Sequence, residues 1–214
     1  MPLANDILSA LAVLNRRGES VQAVMGTNKA ENRFSIALAA LEKLAIENEL
    51  PIAIVGGLAA IRYGYPAVTD DIDVAVAQSQ LGLLLSLAPH YGFRVVWTAK
   101  SGWHTLEFGD VEINIVPEGG RARDTSPTSI PGPAELGVAR GLGYASLPSW
   151  MELKISSGRQ KDRAHIVEVL KKSDSANIAS IREHLSTVHE GYLQMFEQLV
   201  ADAQLESEQE NERR

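Results

Sequence analysis

The chain of 214 residues contains no cysteine, and this absence removes two kinds of site. Without thiols there is neither a disulfide framework nor a thiolate zinc site, which suits a reducing compartment. The five histidines are scattered and show no His-x-x-x-His spacing, so we expect no histidine zinc site either.

Long hydrophobic runs are also lacking. No apolar stretch is long enough to cross a bilayer, and the first residues lack a hydrophobic segment behind a basic start. We therefore predict a cytoplasmic protein with no membrane partner. The net charge of -7 argues against a broad nucleic-acid surface, although it permits a local basic pocket. The apolar and charged fractions, 45% and 22%, are typical of a soluble globular protein.

The periodicity of apolar residues predicts an α/β fold, with a small mixed sheet flanked by helices and a helical C-terminal region. We predict helices at residues 3–15, 31–46, 58–63, 80–87, 149–156, 163–172 and 178–205, and strands at 52–55, 93–98, 103–108 and 111–116, besides one that carries Asp71 and Asp73. The corresponding division is an N-terminal helical segment (1–30), a core (31–125), a loop (126–146), a C-terminal helical region (147–205) and a charged tail (206–214). Within it, residues 117–133 hold several Gly and Pro residues and are predicted to be a loop or mobile lid.

The most informative local feature is a glycine turn followed by paired carboxylates. A short β-branched run leads into Gly56 and Gly57, whose backbone N–H groups can approach a phosphate closely. An ordinary strand-to-helix turn is the competing interpretation. Farther along, Asp71 and Asp73 are two apart on a predicted strand and therefore share one face. Two carboxylates on one rim predict a hard-metal site that phosphate oxygens can complete.

Two further segments carry polar residues in a regular pattern. On the strand predicted at 111–116, Asp110, Glu112 and Asn114 alternate with apolar residues and so share a face. Asn114 offers a metal an amide oxygen but no negative charge, and it cannot accept a proton at neutral pH. Glu112 is therefore a candidate base.

Basic residues cluster later in the chain. Lys154, Arg159 and Lys161 can neutralise phosphate oxygens, and Asp162 is suited to cap the next helix. On composition alone, a solvated corner between helices explains this basic cluster equally well. Neither a P-loop nor a dinucleotide-binding glycine pattern is present.

Together these motifs resemble the nucleotidyltransferase superfamily, in which a Gly-Gly turn precedes an Asp-x-Asp strand. The local sequence pattern is most similar to the AbiEii-type abortive-infection toxin branch: it reads Gly-Gly-Leu-Ala, then Tyr-Gly, then Thr-x-Asp-Ile-Asp. The segment Leu-x-x-Lys with Arg-x-Lys-Asp resembles the basic signature of the same family. In this chain Asn114 stands where the resemblance predicts a third Asp, and His165 stands where many relatives have a second Asp.

The resemblance implies transfer of a nucleotide from a nucleoside triphosphate such as ATP to an acceptor hydroxyl on a tRNA, a protein or a small molecule. It implies Mg²⁺ as cofactor, held by Asp71 and Asp73, with Glu112, Asn114 and Lys154 as further catalytic residues. The residues implied for nucleotide binding are Gly56, Gly57, Thr69, Arg159 and Lys161. A toxin of this type would have a cognate antitoxin. Because of Asn114, the alternative is a nucleotide-binding or regulatory module that has kept the fold and lost turnover.

Overall fold

The computed structural model describes residues 33–65, 69–99 and 102–213. The helices are α1 (Arg33–Glu47), α2 (Gly56–Arg62), α3 (Leu81–Leu87), α4 (Leu147–Ser157), α5 (Gln160–Leu170), α6 (Ser175–Val188) and α7 (Glu190–Glu212), with a 3-10 turn at Ala88–Tyr91. The strands are β1 (Ile52–Ile54), β2 (Asp71–Val76), β3 (Arg94–Thr98), β4 (His104–Phe108), β5 (Val111–Pro117) and β6 (Leu142–Tyr144). The helix predicted at residues 3–15 and the first residues of the one predicted at 31–46 lie outside the described residues.

The strands form one mixed sheet of six strands in the order β3-β4-β5-β2-β1-β6. Strand β2 runs parallel to β5, and β1 runs parallel to β6, whereas the other neighbouring strands are antiparallel. Helices pack on both sides of the sheet, and four helices follow its last strand. The predicted fold class is therefore confirmed.

The two faces of the central strands differ in polarity because successive side chains point to opposite sides. On one face, Ile72, Val74, Leu106, Ile113 and Ile115 are fully buried and belong to the cluster that α1 and α3 complete. The opposite face is apolar at Ala53, Ala75 and Val116, which share a buried cluster with the C-terminal helices. The rest of that face carries the polar residues of β2 and β5.

Helix ends in the C-terminal region follow ordinary capping rules. The Ser146 hydroxyl accepts a hydrogen bond from the Ser149 N–H at 3.3 Å at the start of α4, and Gly158, at φ 54°, ends that helix. The single helix predicted at 178–205 is two helices, because the extended backbone of His189 separates α6 from α7. Among the described helices none is both long enough and apolar enough to span a membrane.

Two boundaries differ from the prediction. The segment 126–146, predicted to be a loop, contains β6, which pairs in parallel with β1. This strand has only three residues and includes Gly143, so it leaves no periodic pattern in the sequence. The residues assigned to a charged tail instead continue α7 as far as Glu212. Both elements depend on contacts with distant parts of the chain.

Candidate active site

The turn between β1 and α2 presses the backbone against β2. The N–H of Val55 donates to the carbonyl of Asp73 at 2.9 Å. Gly56 has φ of +62°, and a Cβ atom there would lie 1.9 Å from Asp73 Oδ2. A Cβ atom on Gly57 would lie 2.7 Å from the Thr69 hydroxyl oxygen. Glycine is required at Gly56 because any side chain would occupy the space of the Asp73 carboxylate.

The Asp71 carboxylate is held by hydrogen bonds at both oxygens. Thr69 Oγ1 donates to Asp71 Oδ1 at 2.9 Å, and Asn114 Nδ2 donates to Asp71 Oδ2 at 3.1 Å. Asn114 is oriented in turn by Thr105, whose hydroxyl donates to Asn114 Oδ1 at 3.1 Å. The amide of Asn114 thus directs its N–H₂ group, rather than its oxygen, toward the carboxylates.

The Asp73 carboxyl is the most strongly perturbed acid of the cleft. Burial, with a contribution from the negative charge of Asp71, raises its pKa to about 6, although Lys154, Asn114 and Arg159 oppose the shift. The positive charge around these two carboxylates therefore compensates their negative charge only in part. This set of hard oxygen donors, with the Gly56 backbone close against the Asp73 carboxylate, fits a hard divalent cation such as Mg²⁺.

The facing wall is the corner between α4 and α5, built around the fully buried Asp162. Lys154 Nζ donates to Asp162 Oδ1 at 2.7 Å, Arg159 Nε lies 3.2 Å from Asp162 Oδ2, and the Ser157 hydroxyl also donates to this carboxylate. Burial disfavours ionisation of Asp162, but these neighbours outweigh it and hold its pKa below the usual value. The predicted cap is not formed, because Arg159 is the N-cap residue of α5 and the Asp162 oxygens already have partners.

His165 lies beside this network on α5. Its Nδ1 atom is 3.5 Å from Lys154 Nζ, and its ring centroid is 4.5 Å from that of Tyr65. Burial and the nearby positive charge of Lys154 lower the pKa of His165, which favours the neutral form of its imidazole. The ring lies beside Tyr65 at the edge of the basic corner.

The carboxylates and the basic corner line a single cleft of about 670 Å³. The predicted site residues that line it are Gly57, Thr69, Asp71, Asp73, Asn114, Lys154, Arg159 and Lys161. Gly56 lines an adjoining recess of about 90 Å³, and the residues that this recess shares with the cleft are Asp73, Trp103, Lys154, Arg159 and Asp162. Glu112 borders neither cavity: it is exposed on β5, opposite Asp71 in the strand register.

Five residues of the cleft were not predicted as site residues: Tyr65, Asp70, Trp103, Asp162 and His165. Asp162 was expected only to cap a helix, and His165 was noted only as a departure from the family pattern. Trp103 and Tyr65 carry no local signal, since each reaches the cleft from an irregular segment. Asp70 is exposed and lies at the edge of the cleft.

A second acidic cluster lies far along the chain, on α5 and α7. Within the described parts of the chain, Glu168, Glu206 and Glu210 form the group of three acidic side chains close enough to share a metal ion. The Lys171 ammonium lies 3.0, 3.6 and 2.5 Å from their carboxylate oxygens. This cluster therefore already contains its own cation.

Comparison with known proteins yields structural neighbours only. No family model and no curated protein matches the chain. A solution structure of the antibiotic-resistance factor ANT(2'')-Ia is 18% identical, with a TM-score of 0.40, and the match covers 85% of this chain and 96% of that one. A crystal structure of ANT(2'')-Ia with adenylyl-2''-tobramycin is 18% identical (TM-score 0.42; 81% and 99% covered). Terminal uridylyl transferase 4 from Trypanosoma brucei, with bound GTP, is 12% identical (TM-score 0.34; 78% and 56% covered).

Proposed function

We propose that the protein is a Mg²⁺-dependent nucleotidyltransferase that moves a nucleoside monophosphate from a nucleoside triphosphate to an acceptor hydroxyl. One observation carries this proposal: a carboxylate pair and a cationic corner, from distant parts of the sequence, line the same cleft. Carboxylates suit a metal ion, and the cationic groups suit the phosphates that the metal ion accompanies.

The triphosphate is assigned to the side of the cleft formed by the basic corner. Lys154 lies there as a point charge, while Arg159 and Lys161 are exposed and can reach phosphate oxygens. Gly56 and Gly57 bring backbone close to the carboxylates with no side chain between them. These groups would offset the negative charge that develops on the pyrophosphate leaving group.

Asp71 and Asp73 are the residues that would hold Mg²⁺. Bound there, the ion would lower the charge on the phosphates and act on the attacking and leaving oxygens. Asn114 would hold the Asp71 carboxylate in place through its N–H₂ group, as it does in the structure. The hydrogen bond from Thr105 keeps the amide oxygen turned away, so Asn114 is assigned to positioning rather than to ligation.

In the proposed reaction an acceptor hydroxyl oxygen forms a bond to the α-phosphorus while the bond from this phosphorus to the bridging oxygen of the β-phosphate breaks. Pyrophosphate leaves, and the hydroxyl proton passes to solvent. Asn114 cannot accept this proton. Glu112 lies outside the cleft, so we assign it to orienting the acceptor rather than to deprotonating it.

The alternative is a module that binds nucleotide without turnover. The observation in its favour is the neutral Asn114 beside Asp71, since a site with one carboxylate fewer attracts metal ions less strongly. Nucleotide binding without release of pyrophosphate, with every acceptor tried, is the result that this alternative predicts.

The test measures two quantities on the same protein: binding of each of the four nucleoside triphosphates with Mg²⁺ by calorimetry, and pyrophosphate release with tRNA, protein or polyhydroxylated small molecules as acceptors. We expect both with the unmodified chain. The double variant Asp71→Ala with Asp73→Ala should lower release at least about a hundredfold. Asp202→Asn, which removes an exposed carboxylate on α7, is the matched control. Absence of both binding and release would overturn the proposal and its alternative together.

We further propose that the protein acts as an AbiEii-type toxin, a role supported by the sequences of the glycine and Asp-x-Asp motifs. A cognate antitoxin would then accompany the protein. Expression of the unmodified chain should arrest bacterial growth, and the double aspartate variant should not. Normal growth with the unmodified chain at the same protein level would remove this role and leave the transferase proposal standing.

A further inference from the structure

An exposed tryptophan marks the outer strand of the sheet. Trp97 lies on β3, the edge strand, and 54% of its surface is exposed. Single exposed apolar residues are common on proteins, so exposure alone says little. The position of Trp97 in the strand register is the informative observation.

Trp97 belongs to a row of neighbours that crosses four strands. It is paired with Thr105, which is paired with Asn114, which is paired with Asp73. Cross-strand partners share a face of the sheet, and the hydrogen bond of 3.1 Å between Thr105 and Asn114 shows that these side chains meet. Trp97 is therefore on the face that carries the carboxylate pair, three strand spacings, or about 14 Å, from Asp73.

The adjacent row on this face is charged. Arg94, Glu107, Glu112 and Asp71 are successive register partners, and Arg94 lies 2.5 Å from the Glu107 carboxylate. Glu112 is exposed and has no ion-pair partner among the residues that the structure describes. The face between Trp97 and the carboxylate pair thus carries an excess of negative charge.

We infer that this face of β3, β4 and β5, which is exposed at Trp97 and Glu112, is the acceptor subsite, and that it takes a hydroxylated small molecule with a positively charged amine and a ring that packs on Trp97. The inference rests on the proposed nucleotidyl transfer. The basic corner on the opposite wall suits the triphosphate, so the sheet side is where an acceptor can approach. Carboxylates attract an amine and repel the phosphates of RNA, and a tryptophan face packs against rings and cations.

The span sets the size of the acceptor. A hydroxyl at Asp71 and Asp73 and a ring at Trp97 are about 14 Å apart, counted as three strand spacings. A molecule of two or three linked rings covers this length, whereas a single ring does not. Glu112 lies between these two ends of the face and is the residue assigned to the amine.

The experiment follows the indole N–H signals of the three tryptophans by ¹⁵N NMR, with Trp97→Phe identifying the signal of Trp97. The probes are the linear trimer of glucosamine, the trimer of N-acetylglucosamine, which has the same rings without the amine charge, and a uridine tetranucleotide. Binding of ATP with Mg²⁺ is measured by calorimetry on the same samples. Leu83→Ala, which removes a side chain 48% exposed on α3, is the control for loss of an exposed apolar group.

We expect the glucosamine trimer to move the Trp97 signal in a saturable manner and to bind at least about fivefold more tightly than the acetylated trimer. Glu112→Gln should weaken binding of the glucosamine trimer and leave binding of the acetylated trimer unchanged. Leu83→Ala should change the binding of neither trimer. A shift of the Trp97 signal with the tetranucleotide alone, or equal affinity for the two trimers, would overturn the inference. No movement with any probe, while ATP with Mg²⁺ still binds, would overturn the subsite and leave the transferase proposal intact. Binding of the trimer without binding of ATP would instead overturn the transferase proposal and retain the binding surface.

Discussion

Two aspartates line the same cleft, the half-buried Asp73 and the fully buried Asp162, and their pKa values shift in opposite directions. Asp73 on β2 has a pKa raised to about 6 by burial and by Asp71, whereas Asp162 on α5 has a pKa below the usual value. Asp162 is surrounded by Lys154, Arg159 and the Ser157 hydroxyl. Asp73 has the Asp71 carboxylate as a neighbour, and the more distant charges of Lys154 and Arg159 compensate its own charge only in part.

The difference distinguishes a structural acid from one that needs a ligand. Asp162 already has its cation, so its charge stabilises the corner between α4 and α5. The pair formed by Asp71 and Asp73 lacks that compensation, so a cation from solution would complete it. The predictions below test this comparison from the largest expected effect to the smallest.

Removal of the structural acid should be the most damaging change. Asp162→Ala leaves the Lys154 ammonium buried without its partner, and we expect it to lower the free energy of unfolding by about 3–5 kcal/mol. Urea unfolding measures this loss. Lys154→Met combined with Asp162→Ala should recover most of it, because no buried charge is then unpaired. A loss below about 1 kcal/mol for Asp162→Ala would show that the two aspartates do not differ in this way.

Removal of the uncompensated acid should have the opposite effect on stability when metal is absent. A folded-state pKa raised from 3.8 to about 6 means that protonation stabilises the fold fully below pH 3.8, and that this contribution is lost as the pH rises through 6. The shift corresponds to about 3 kcal/mol. In EDTA, Asp73→Asn should therefore be more stable than the unmodified chain at pH 7.5.

The difference in free energy of unfolding between Asp73→Asn and the unmodified chain should disappear as the pH falls to 4. Urea unfolding at several pH values measures this difference. The ionisation of Asp162 is common to both proteins, so it cancels in the difference. A gap that does not change with pH would contradict the raised pKa of Asp73.

The glycine turn offers a contrast between backbone strain and collision with the site. Gly56 and Gly109 have nearly the same φ, +62° and +61°, but a Cβ atom on Gly56 would meet Asp73, whereas one on Gly109 would meet nothing within 4 Å. Gly56→Ala should cost about 1–3 kcal/mol more than Gly109→Ala, because it adds overpacking to the strain that both share. Thermal unfolding compares them, and equal losses would show that the turn does not press on Asp73.

Restoring a third carboxylate should sharpen the metal site. Asn114→Asp replaces the N–H₂ group beside Asp71 with a negative charge, and we expect affinity for Mn²⁺, used as a probe for Mg²⁺, to rise about tenfold. Calorimetry on the protein without nucleotide measures this affinity. Asn114→Ala, which removes the hydrogen bond and adds no charge, should bind Mn²⁺ no more tightly than the unmodified chain. An unchanged affinity for Asn114→Asp would place the ion away from Asn114.

The elements with strong local patterns were predictable, and those that depend on distant partners were not. Strands β4 and β5 alternate apolar and polar residues, so their positions follow from the sequence within a residue or so. Strand β6 has three residues and exists because it pairs with β1. The residue at the break between α6 and α7 is His189, which is neither Gly nor Pro. The sequence therefore predicted one continuous helix there.

The site shows the same division. The sequence alone determined which groups share a strand face, since alternation places Asp71 with Asp73 and Glu112 with Asn114. Only the tertiary structure decided that Asp162 is a buried partner of Lys154 rather than a cap, that Asn114 turns its N–H₂ group to Asp71, and that Trp97 shares their face. The physical reason is that periodicity specifies the direction of a side chain within its own element, whereas the pairing and packing of distant elements specify what that side chain meets.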